Sequence, residues 1–332
     1  MKQLLLICAV VALVGGCGGK KDDGNTGVVN PNKSSPKAVP EKLITDPIVE
    51  KLLRKRLEKP TGELTKADLE NVTELSLSSF TTQVSLTEVP KGLEKLTQLT
   101  DLWLTHNQLT DVKGLEKLTQ LTVLQLSNNQ LTDVKGLEKL TQLTLLSLSN
   151  NQLTDVKGLE NLTQLTSLSL DGNKLTDVKG LEKLTQLTDL ILSHQLTEMP
   201  KELEKLTQLT TLSLENNQLT EVKGLEKLTQ LKKLFLSNNQ LTEVPKGLEK
   251  LTQLTDLWLT HNQLTDIKGL EKLTQLKSLR LEDNQLTDVK GLEKLTQLKV
   301  LDLTNNPDLT KAQIDQLQKA LPKCKIFSNF TK

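Results

Sequence analysis

Leu99-Thr-Asp-Leu-Trp-Leu-Thr-His-Asn-Gln-Leu-Thr-Asp-Val-Lys-Gly-Leu-Glu-Lys-Leu-Thr-Gln120 is the stretch of sequence that decides the fold. The pattern L-x-x-L-x-L-x-x-N-x-L within it returns at an interval of 22 residues, with few exceptions, over most of the chain. Further copies begin at Leu121, Leu143, Leu165, Leu187, Leu209, Leu231, Leu254, Leu276 and Leu298, and an irregular first copy begins at Val72. The sequence therefore predicts about eleven stacked coils around a repetitive leucine core.

The spacing of the leucines assigns a structure to each part of a coil. In Leu102-Trp103-Leu104 the period of two turns both leucines inward and the residue between them outward, as in a β-strand. The rest of the coil leaves room for an extended or 3₁₀ return but hardly for a long α-helix. The pattern resembles that of leucine-rich repeats, which implies an α/β solenoid, a horseshoe with a parallel β-sheet on its concave face.

Composition and charge exclude several classes of protein. Among 332 residues, 42 Lys+Arg balance 41 Asp+Glu, and no segment is strongly basic, so we expect no nucleic-acid partner. Three cysteines and three histidines are too scattered for a metal centre, since His106 and His261 would lie about 30 Å apart at strand spacing. No nucleophile, base and orienting group can be assembled. We therefore expect neither an enzyme nor a bound cofactor.

The N-terminus resembles the signal of a bacterial lipoprotein. An apolar run from Leu4 to Val14 is too short to span a bilayer but has the length of a signal-peptide core. It ends in Leu13-Val14-Gly15-Gly16-Cys17, which resembles a lipobox and implies lipidation of Cys17; the following glycine implies sorting to the outer membrane. We therefore expect residues 1–16 to be a signal peptide and the protein to be lipid-anchored in a bacterial cell envelope, with the membrane as one partner.

Four further segments are expected after the signal. Residues 17–40 contain the lipidated cysteine and a disordered tether, because they hold too few apolar residues to fold. Residues 41–71 are expected to form an N-terminal helical cap, residues 72–306 the repeats and residues 307–332 a C-terminal cap, since both ends of a solenoid need covering. Cys324 lacks a partner cysteine in this scheme, so we expect a buried, reduced thiol.

Helix-capping signals mark both predicted caps. Asp46 and Pro47 indicate a helix that runs to about Leu57. The pairs Thr65/Asp68 and Thr310/Gln313 have the spacing of capping boxes. The apolar residues expected to face inward are Ile48, Leu52, Leu53 and Leu64 in the first cap and Ile314, Leu317 and Leu321 in the second.

An asparagine recurs at the turn that leaves each strand, in the order Asn107, Asn129, Asn151, Asn173, Asn217, Asn239, Asn262, Asn284 and Asn306. A buried amide there can satisfy backbone groups that the bend leaves without partners, so we interpret this ladder as structural. The coil from Leu187 lacks the asparagine and is one residue short, and its His194 is expected to be a solvent-facing turn residue. We expect changes of curvature there and at the one-residue expansions marked by Pro90 and Pro245.

The outward strand position has no packing role, so its residues bear on binding. In order they are Ser76, Trp103, Gln125, Ser147, Ser169, Ile191, Ser213, Phe235, Trp258, Arg280 and Asp302. Both tryptophans of the chain fall in this column, and Phe235, Trp258 and Arg280 are consecutive, about 4.8 Å apart per strand, so that they can stack. Such residues are enriched at protein-binding hot spots. The alternative is that exposed aromatics merely shield the strands, which β propensity alone would favour.

Charged residues flank this column. One flanking column contains Asp101, Asp189, Lys233 and Asp256, and the next contains Glu215 and Glu282, a mixed rim able to orient a polar partner. We expect the rings of the column to lie in water. The residues predicted to bind a ligand on the concave face are Trp103, Phe235, Trp258, Arg280, Asp256, Lys233 and Glu282.

The helical cap followed by coils with Asn-Gln-Leu-Thr-Asp-Val is similar to the bacterial internalins, over Glu41 to about Asn306. Internalins bind host or other extracellular proteins through the concave face, which implies an extracellular or envelope protein as the ligand. We do not expect host-cell invasion, because the immunoglobulin-like domain and the wall anchor of that family are replaced here by a lipobox and a closing helix. Two alternatives remain open, an envelope polysaccharide stacked on the aromatics and a structural spacer without a specific ligand.

Overall fold

The Leu-x-Leu tripeptides form the strands of one parallel sheet in the computed structural model, which describes residues 42–193 and 196–330. The strands follow one another in sequence order, so each is paired with the strand of the next coil. Their bounds are β1 Glu74–Ser76, β2 Asp101–Trp103, β3 Val123–Gln125, β4 Leu145–Ser147, β5 Ser167–Ser169, β6 Asp189–Ile191, β7 Thr211–Ser213, β8 Lys233–Phe235, β9 Asp256–Trp258, β10 Ser278–Arg280, β11 Val300–Asp302 and β12 Lys325–Phe327. The predicted signal peptide, Cys17, the tether and His194 lie outside the described residues.

Each strand is three residues long, and its middle residue points into the core. Leu102 pairs with Leu75 on one side and Leu124 on the other, and the same register continues to the pair Leu301 and Ile326. All of these middle residues are buried, at 5% exposure or less. The predicted fold, an α/β solenoid with a parallel sheet on its concave face, is therefore confirmed.

Short 3₁₀ helices supply the return on the far side of eight coils in the described part of the chain, as the coil length indicated. They span Leu93–Lys95, Leu159–Asn161, Leu181–Lys183, Lys201–Lys205, Leu225–Lys227, Leu248–Lys250, Leu270–Lys272 and Leu292–Lys294. Most are preceded by a glycine with positive φ. Gly92 shows why, because its φ is 95° and a Cβ would lie 3.0 Å from the Leu43 carbonyl oxygen.

Four α-helices lie near the two ends of the described chain, α1 Pro47–Arg56, α2 Lys66–Glu70, α3 Ser79–Thr82 and α4 Lys311–Ala320. The carboxylate of Asp46 accepts hydrogen bonds from the first turn of α1, and both predicted capping boxes are present. No helix in the described residues is long and apolar enough to cross a membrane.

Three details of the ends differ from the sequence-based expectations. In α1, Val49 and Leu53 are fully buried, while Ile48 and Leu52 are only partly covered, because the buried stripe follows the i, i+4 spacing from Val49. Helix α3 was not predicted. After α4 the chain returns to the sheet as β12, whose Lys-Ile-Phe sequence does not match the repeat.

The ladder asparagines are buried and connect consecutive coils, as expected. The Asn129 amide donates to the carbonyl oxygens of Leu126, in its own coil, and of Leu104, in the preceding coil, each at 2.9 Å. Its side-chain oxygen accepts from the Leu109 amide at 3.0 Å. One side chain thus satisfies three backbone groups that the turn would otherwise leave buried and unpaired.

The irregular coil keeps its place in the sheet. Leu190 of β6 pairs in register with Leu168 and Leu212, and the Leu192 amide donates to the Ser213 carbonyl at 2.9 Å. On the far side, the 3₁₀ helix there spans five residues and begins after Pro200 in place of a glycine. The longer return therefore restores the length that the short turn removes, and the strand register is unchanged.

Candidate functional site

The exposed surface of the sheet consists of three columns, which we call the sheet face. They contain the first residue of each strand, the third residue of each strand, and the residue two positions after the strand. In β9 these residues are Asp256, Trp258 and Thr260. Because strands β1 to β12 are paired without interruption, each column runs the whole length of the sheet.

Phe235, Trp258 and Arg280 form one contiguous cluster in the middle column. The ring centroids of Phe235 and Trp258 are 4.6 Å apart with an angle of 59° between the rings, and the Arg280 guanidinium carbon lies 4.4 Å from the Trp258 ring centroid. The predicted contacts are therefore present, although the two rings are tilted and not parallel. Trp258 lies on the central strand of the three, with one partner on each neighbouring strand.

The indole of Trp258 is less exposed than the sequence indicated. The side chain is half-buried, and its Nε1 is buried without a hydrogen-bond acceptor, which holds for no other side-chain nitrogen or oxygen in residues 42–193 and 196–330. Trp103 is also half-buried. The expectation that these rings lie in water is thus wrong in degree, because side chains on adjacent strands cover part of each ring.

Trp103 stands at the other end of the same column. Six strand steps separate it from Phe235, about 29 Å at the usual strand spacing. The intervening residues of the column are Gln125, Ser147, Ser169, Ile191 and Ser213. Four of these five are polar and three are serines. We call these five residues the floor, which lies between Trp103 at one end and Phe235 at the other. The structure does not bring Trp103 into contact with the Phe235–Trp258–Arg280 cluster.

Acidic residues predominate on the sheet face. The carboxylates are Glu74, Asp101, Asp171, Asp189, Glu215, Asp256, Glu282 and Asp302, and the basic residues are Lys233, Arg280 and Lys325. The two flanking columns, which were predicted to form a mixed rim, contain seven of these carboxylates and two of the cations, so the rim is mostly acidic. The whole chain, by contrast, has 42 basic and 41 acidic residues.

Local hydrogen bonds hold several of these carboxylates in place. Asp101, Asp189 and Asp256 each accept a hydrogen bond of 2.7 Å from the hydroxyl of the preceding threonine. Asp302 accepts from both the amide and the hydroxyl of Thr304. These bonds orient the carboxylates without neutralising their charge.

Glu215 is a half-buried carboxylate on the sheet face. Burial raises the pKa of its carboxyl above the ordinary value, and a hydrogen bond with Ser237 and the positive charge of Arg280 oppose this rise. The Arg280 side chain therefore acts on Glu215 as well as on the Trp258 ring, which joins the aromatic cluster to the acidic surface.

Two features of the surface had not been found from the sequence. Phe80, on α3, is 75% exposed and its ring centroid lies 4.5 Å from that of His106. At the opposite end, the Lys325 ammonium lies 4.6 Å from the Phe327 ring centroid on β12. Both lie in segments that depart from the repeat, so the periodicity gave no position for them.

Histidine and carboxylate geometry on the turns gives no metal or catalytic arrangement. The Nδ1 of His261 lies 3.4 Å from the Asp283 carboxylate, and no third ligand joins them. Within the described residues, no group of three or more His, Cys, Asp or Glu side chains could hold a metal ion.

The family described as Leucine Rich repeats (2 copies) matches residues 97–139, 119–161, 141–183, 229–272 and 274–319, more than half of the sequence. No curated protein sequence is significantly similar to this chain.

Solved structures are similar over most of the chain. The internalin InlF of Listeria monocytogenes has a TM-score of 0.71 and 27% identity, over 90% of this chain and 100% of its own. The functional domain of InlJ from the same organism has a TM-score of 0.67 and 30% identity, over 80% of this chain and 59% of its own. The internalin-like fold expected from the sequence is thus confirmed.

A plant receptor is similar over a smaller share of its own length. The repeat ectodomain of the membrane receptor kinase GASSHO1/SCHENGEN3 from Arabidopsis thaliana has a TM-score of 0.58 and 26% identity, over 81% of this chain and 37% of its own. That ectodomain was solved in complex with CASPARIAN STRIP INTEGRITY FACTOR 2.

Proposed function

This chain belongs to the leucine-rich repeat family, and we propose that it binds a protein ligand through its concave face. We further propose that it is lipid-anchored in a bacterial cell envelope. Members of this fold act by presenting a surface, and the described residues contain no group of side chains that could hold a metal ion. The proposal has two parts, the binding surface and the anchor, and each can be tested separately.

The observation that carries the binding surface is the Phe235–Trp258–Arg280 cluster. Three large side chains on adjacent strands meet on a face that otherwise has mostly small and polar residues, and none of them fills the leucine core. Tryptophan and arginine dominate the energetics of protein interfaces. The indole N–H of Trp258 adds an unused donor, which a ligand carbonyl could satisfy once the side chains around it move.

The same geometry favours a protein over a polysaccharide. A sugar ring stacks best on an open, flat aromatic face, whereas the Trp258 ring has Phe235 on one neighbouring strand and Arg280 on the other. Trp103 has no aromatic neighbour within the described residues and remains the better platform for a sugar. The complex of the plant ectodomain with CASPARIAN STRIP INTEGRITY FACTOR 2 supports a protein or peptide ligand for this class of solenoid.

The anchor rests on the sequence. The apolar run before Gly15-Gly16-Cys17 is too short to remain as a membrane span, and several acyl chains on Cys17 would hold the protein stably at the bilayer. Glycine at position 18 favours the outer membrane.

The binding surface is tested by a pull-down from native envelope beside a glycan array. We expect a protein to be retained by the full-length chain and lost from the Trp258→Ala, Phe235→Ala double variant. Phe330→Ala, which removes an exposed aromatic outside the cluster, serves as the control and should retain it. Saturable glycan binding that depends on Trp103 would replace the protein ligand with a polysaccharide, and the absence of any ligand in both assays would indicate a spacer.

A further inference from the structure

We propose that the ligand engages the sheet face through a cationic, extended segment, about nine residues of lysine- or arginine-rich chain lying across β2 to β8. This inference rests on the proposed function and goes further, because it names the chemistry of the partner. The sheet face is the side of the sheet opposite the leucine core, and its charge, width and ends indicate what fits it.

Charge is the first argument. Eight carboxylates and three cations occupy the sheet face, although the chain as a whole carries a formal net charge of only +1. The positive excess therefore lies elsewhere on the protein, and the two charges are separated in space. A ligand cation is attracted to this face by the local field, not by the net charge of the protein.

The carboxylates of the sheet face are also unneutralised. Apart from Glu74, which lies 3.7 Å from Arg56, none has a Lys, Arg or His nitrogen within 4.0 Å among the residues described. On the coil returns, carboxylates do find such partners, as in Asp177 with Lys179 at 3.3 Å and Glu221 with Lys223 at 2.5 Å. Seven of the eight carboxylates of the sheet face thus lack a cationic partner among the described residues, and a cationic ligand would supply such partners.

Shape limits the ligand to a narrow strip. The three columns span four residue steps along each strand, so the face is about 13 Å wide, which accommodates one extended chain lying across the strands. The floor between Trp103 and Phe235 is about 29 Å long, and an extended chain covers this distance in about nine residues. Small floor residues such as Ser147 and Ser169 leave room for the backbone of the ligand.

The two ends of the floor suit cationic side chains. Trp103 and Asp101 lie on the same face of β2, so an ammonium or guanidinium group over the indole is also close to a carboxylate. At the other end Arg280 already makes such a contact with Trp258, and Glu215 lies within its electrostatic reach. The protein thus shows, with its own arginine, the type of interaction that a ligand cation would make.

The test is a selection of random 12-residue peptides displayed on phage against the full-length protein, followed by fluorescence anisotropy with the best peptide. A sheet-face variant carries Asp101→Asn, Asp171→Asn, Asp189→Asn and Glu215→Gln, the four carboxylates of the sheet face between β2 and β8. A control variant carries Asp133→Asn, Asp155→Asn, Asp177→Asn and Asp288→Asn on the coil returns. Both lose four negative charges, so any effect of net charge is the same in the two.

We expect Lys and Arg to be enriched at least about twofold in the selected peptides, and binding to weaken about 30-fold in the sheet-face variant but less than about threefold in the control. Peptides without a basic excess, or equal losses in the two variants, would overturn the cationic ligand while leaving a concave binding site intact. Peptides that bind Trp258→Ala as tightly as the unmodified protein would instead overturn the proposed site itself.

Discussion

The side-chain amide of Asn129 donates a 2.9 Å hydrogen bond to the carbonyl oxygen of Leu104, twenty-five residues earlier in the chain. The neighbouring coils repeat this bond, as from Asn151 to Leu126 and from Asn173 to Leu148. The buried turn of each coil is thus satisfied by the coil that follows it, and adjacent coils depend on one another for polar contacts as well as for leucine packing.

Replacing one ladder asparagine should destabilise the array strongly. Asn151→Ala removes four hydrogen bonds, one from the Leu131 amide and three to the Leu126, Leu148 and Ser149 carbonyls. The Leu126 and Leu148 carbonyls still accept from Asn129 and Asn173, but the buried Leu131 amide loses its partner, and we expect a total cost of about 3 kcal/mol. Urea unfolding measures the loss, and Gln152→Ala, an exposed neighbour, is the control. A loss below that of the control would contradict the structural role.

The coil that begins at Leu187 should open most readily, because it lacks the ladder asparagine and local opening occurs at the weakest interface. Its strand hydrogen bonds are of ordinary length, so the expected weakness rests on the missing asparagine alone. Hydrogen exchange followed by mass spectrometry should be faster at residues 190–192 than at residues 146–148 or 212–214. Equal protection of the three strands would show that the missing asparagine is compensated.

The two tryptophans should differ in fluorescence. Trp258 lies between Phe235 and Arg280 with a buried Nε1, whereas Trp103 has Ser76 and Gln125 as its neighbours in the column. Acrylamide should therefore quench Trp103 in the Trp258→Phe variant more efficiently than Trp258 in the Trp103→Phe variant. If Trp258 is quenched as readily as Trp103, the cluster is open in solution.

Asp68 should contribute acid-sensitive stability to the N-terminal end. A hydrogen bond from Lys59, and then those from the Thr65 amide and hydroxyl, lower its pKa to about 2 from the ordinary 3.8. Because the pKa is lower in the folded state, the stabilisation is complete above pH 3.8 and disappears as the pH falls towards 2.

The free energy of unfolding of Asp68→Asn should therefore lie below that of the unmodified protein at pH 7 and converge with it near pH 2. Urea titrations at the two pH values measure the difference. Asp308→Asn, at an exposed position, provides the comparison and should change little at either pH. A difference that is the same at both pH values would exclude the charge of Asp68 as its cause.

Lipidation should depend on Cys17 alone. Cys17→Ser should abolish the incorporation of labelled palmitate and leave the precursor uncleaved at this site, whereas Cys8→Ser, inside the predicted signal, should remain labelled. Label that still migrates with the Cys17→Ser protein would refute the anchor.

The sequence predicted the positions that recur and missed those that do not. Leu102, Leu104 and Asn107 occupy places that return in coil after coil, so one copy read with the period of two established the core, the ladder and the outward column. Helix α3 and β12 lie in segments without the repeat, and neither was predicted.

The sequence predicted which residues form the candidate site but not how their side chains are arranged. The column placed Phe235, Trp258 and Arg280 side by side, because parallel pairing in register fixes which residues are neighbours. The 59° tilt and the buried Nε1 depend on side-chain rotamers, about which periodicity says nothing. The acidic excess was missed because Glu74 and Asp171 also belong to the flanking columns and were not counted there.

The unbroken register of the sheet makes the length of this protein adjustable. Leu102, Leu124 and Leu146 are interchangeable in pairing, so deletion of residues 121–142 would bring β2 beside β4 with every leucine and asparagine still matched. Such an excision shortens the span between Trp103 and Phe235 by one strand spacing, about 4.8 Å, and leaves both ends of the floor intact. Proteins that gain or lose whole coils would thus differ in the distance between the two aromatic ends by multiples of one strand spacing, and each would fit a ligand segment of a different length.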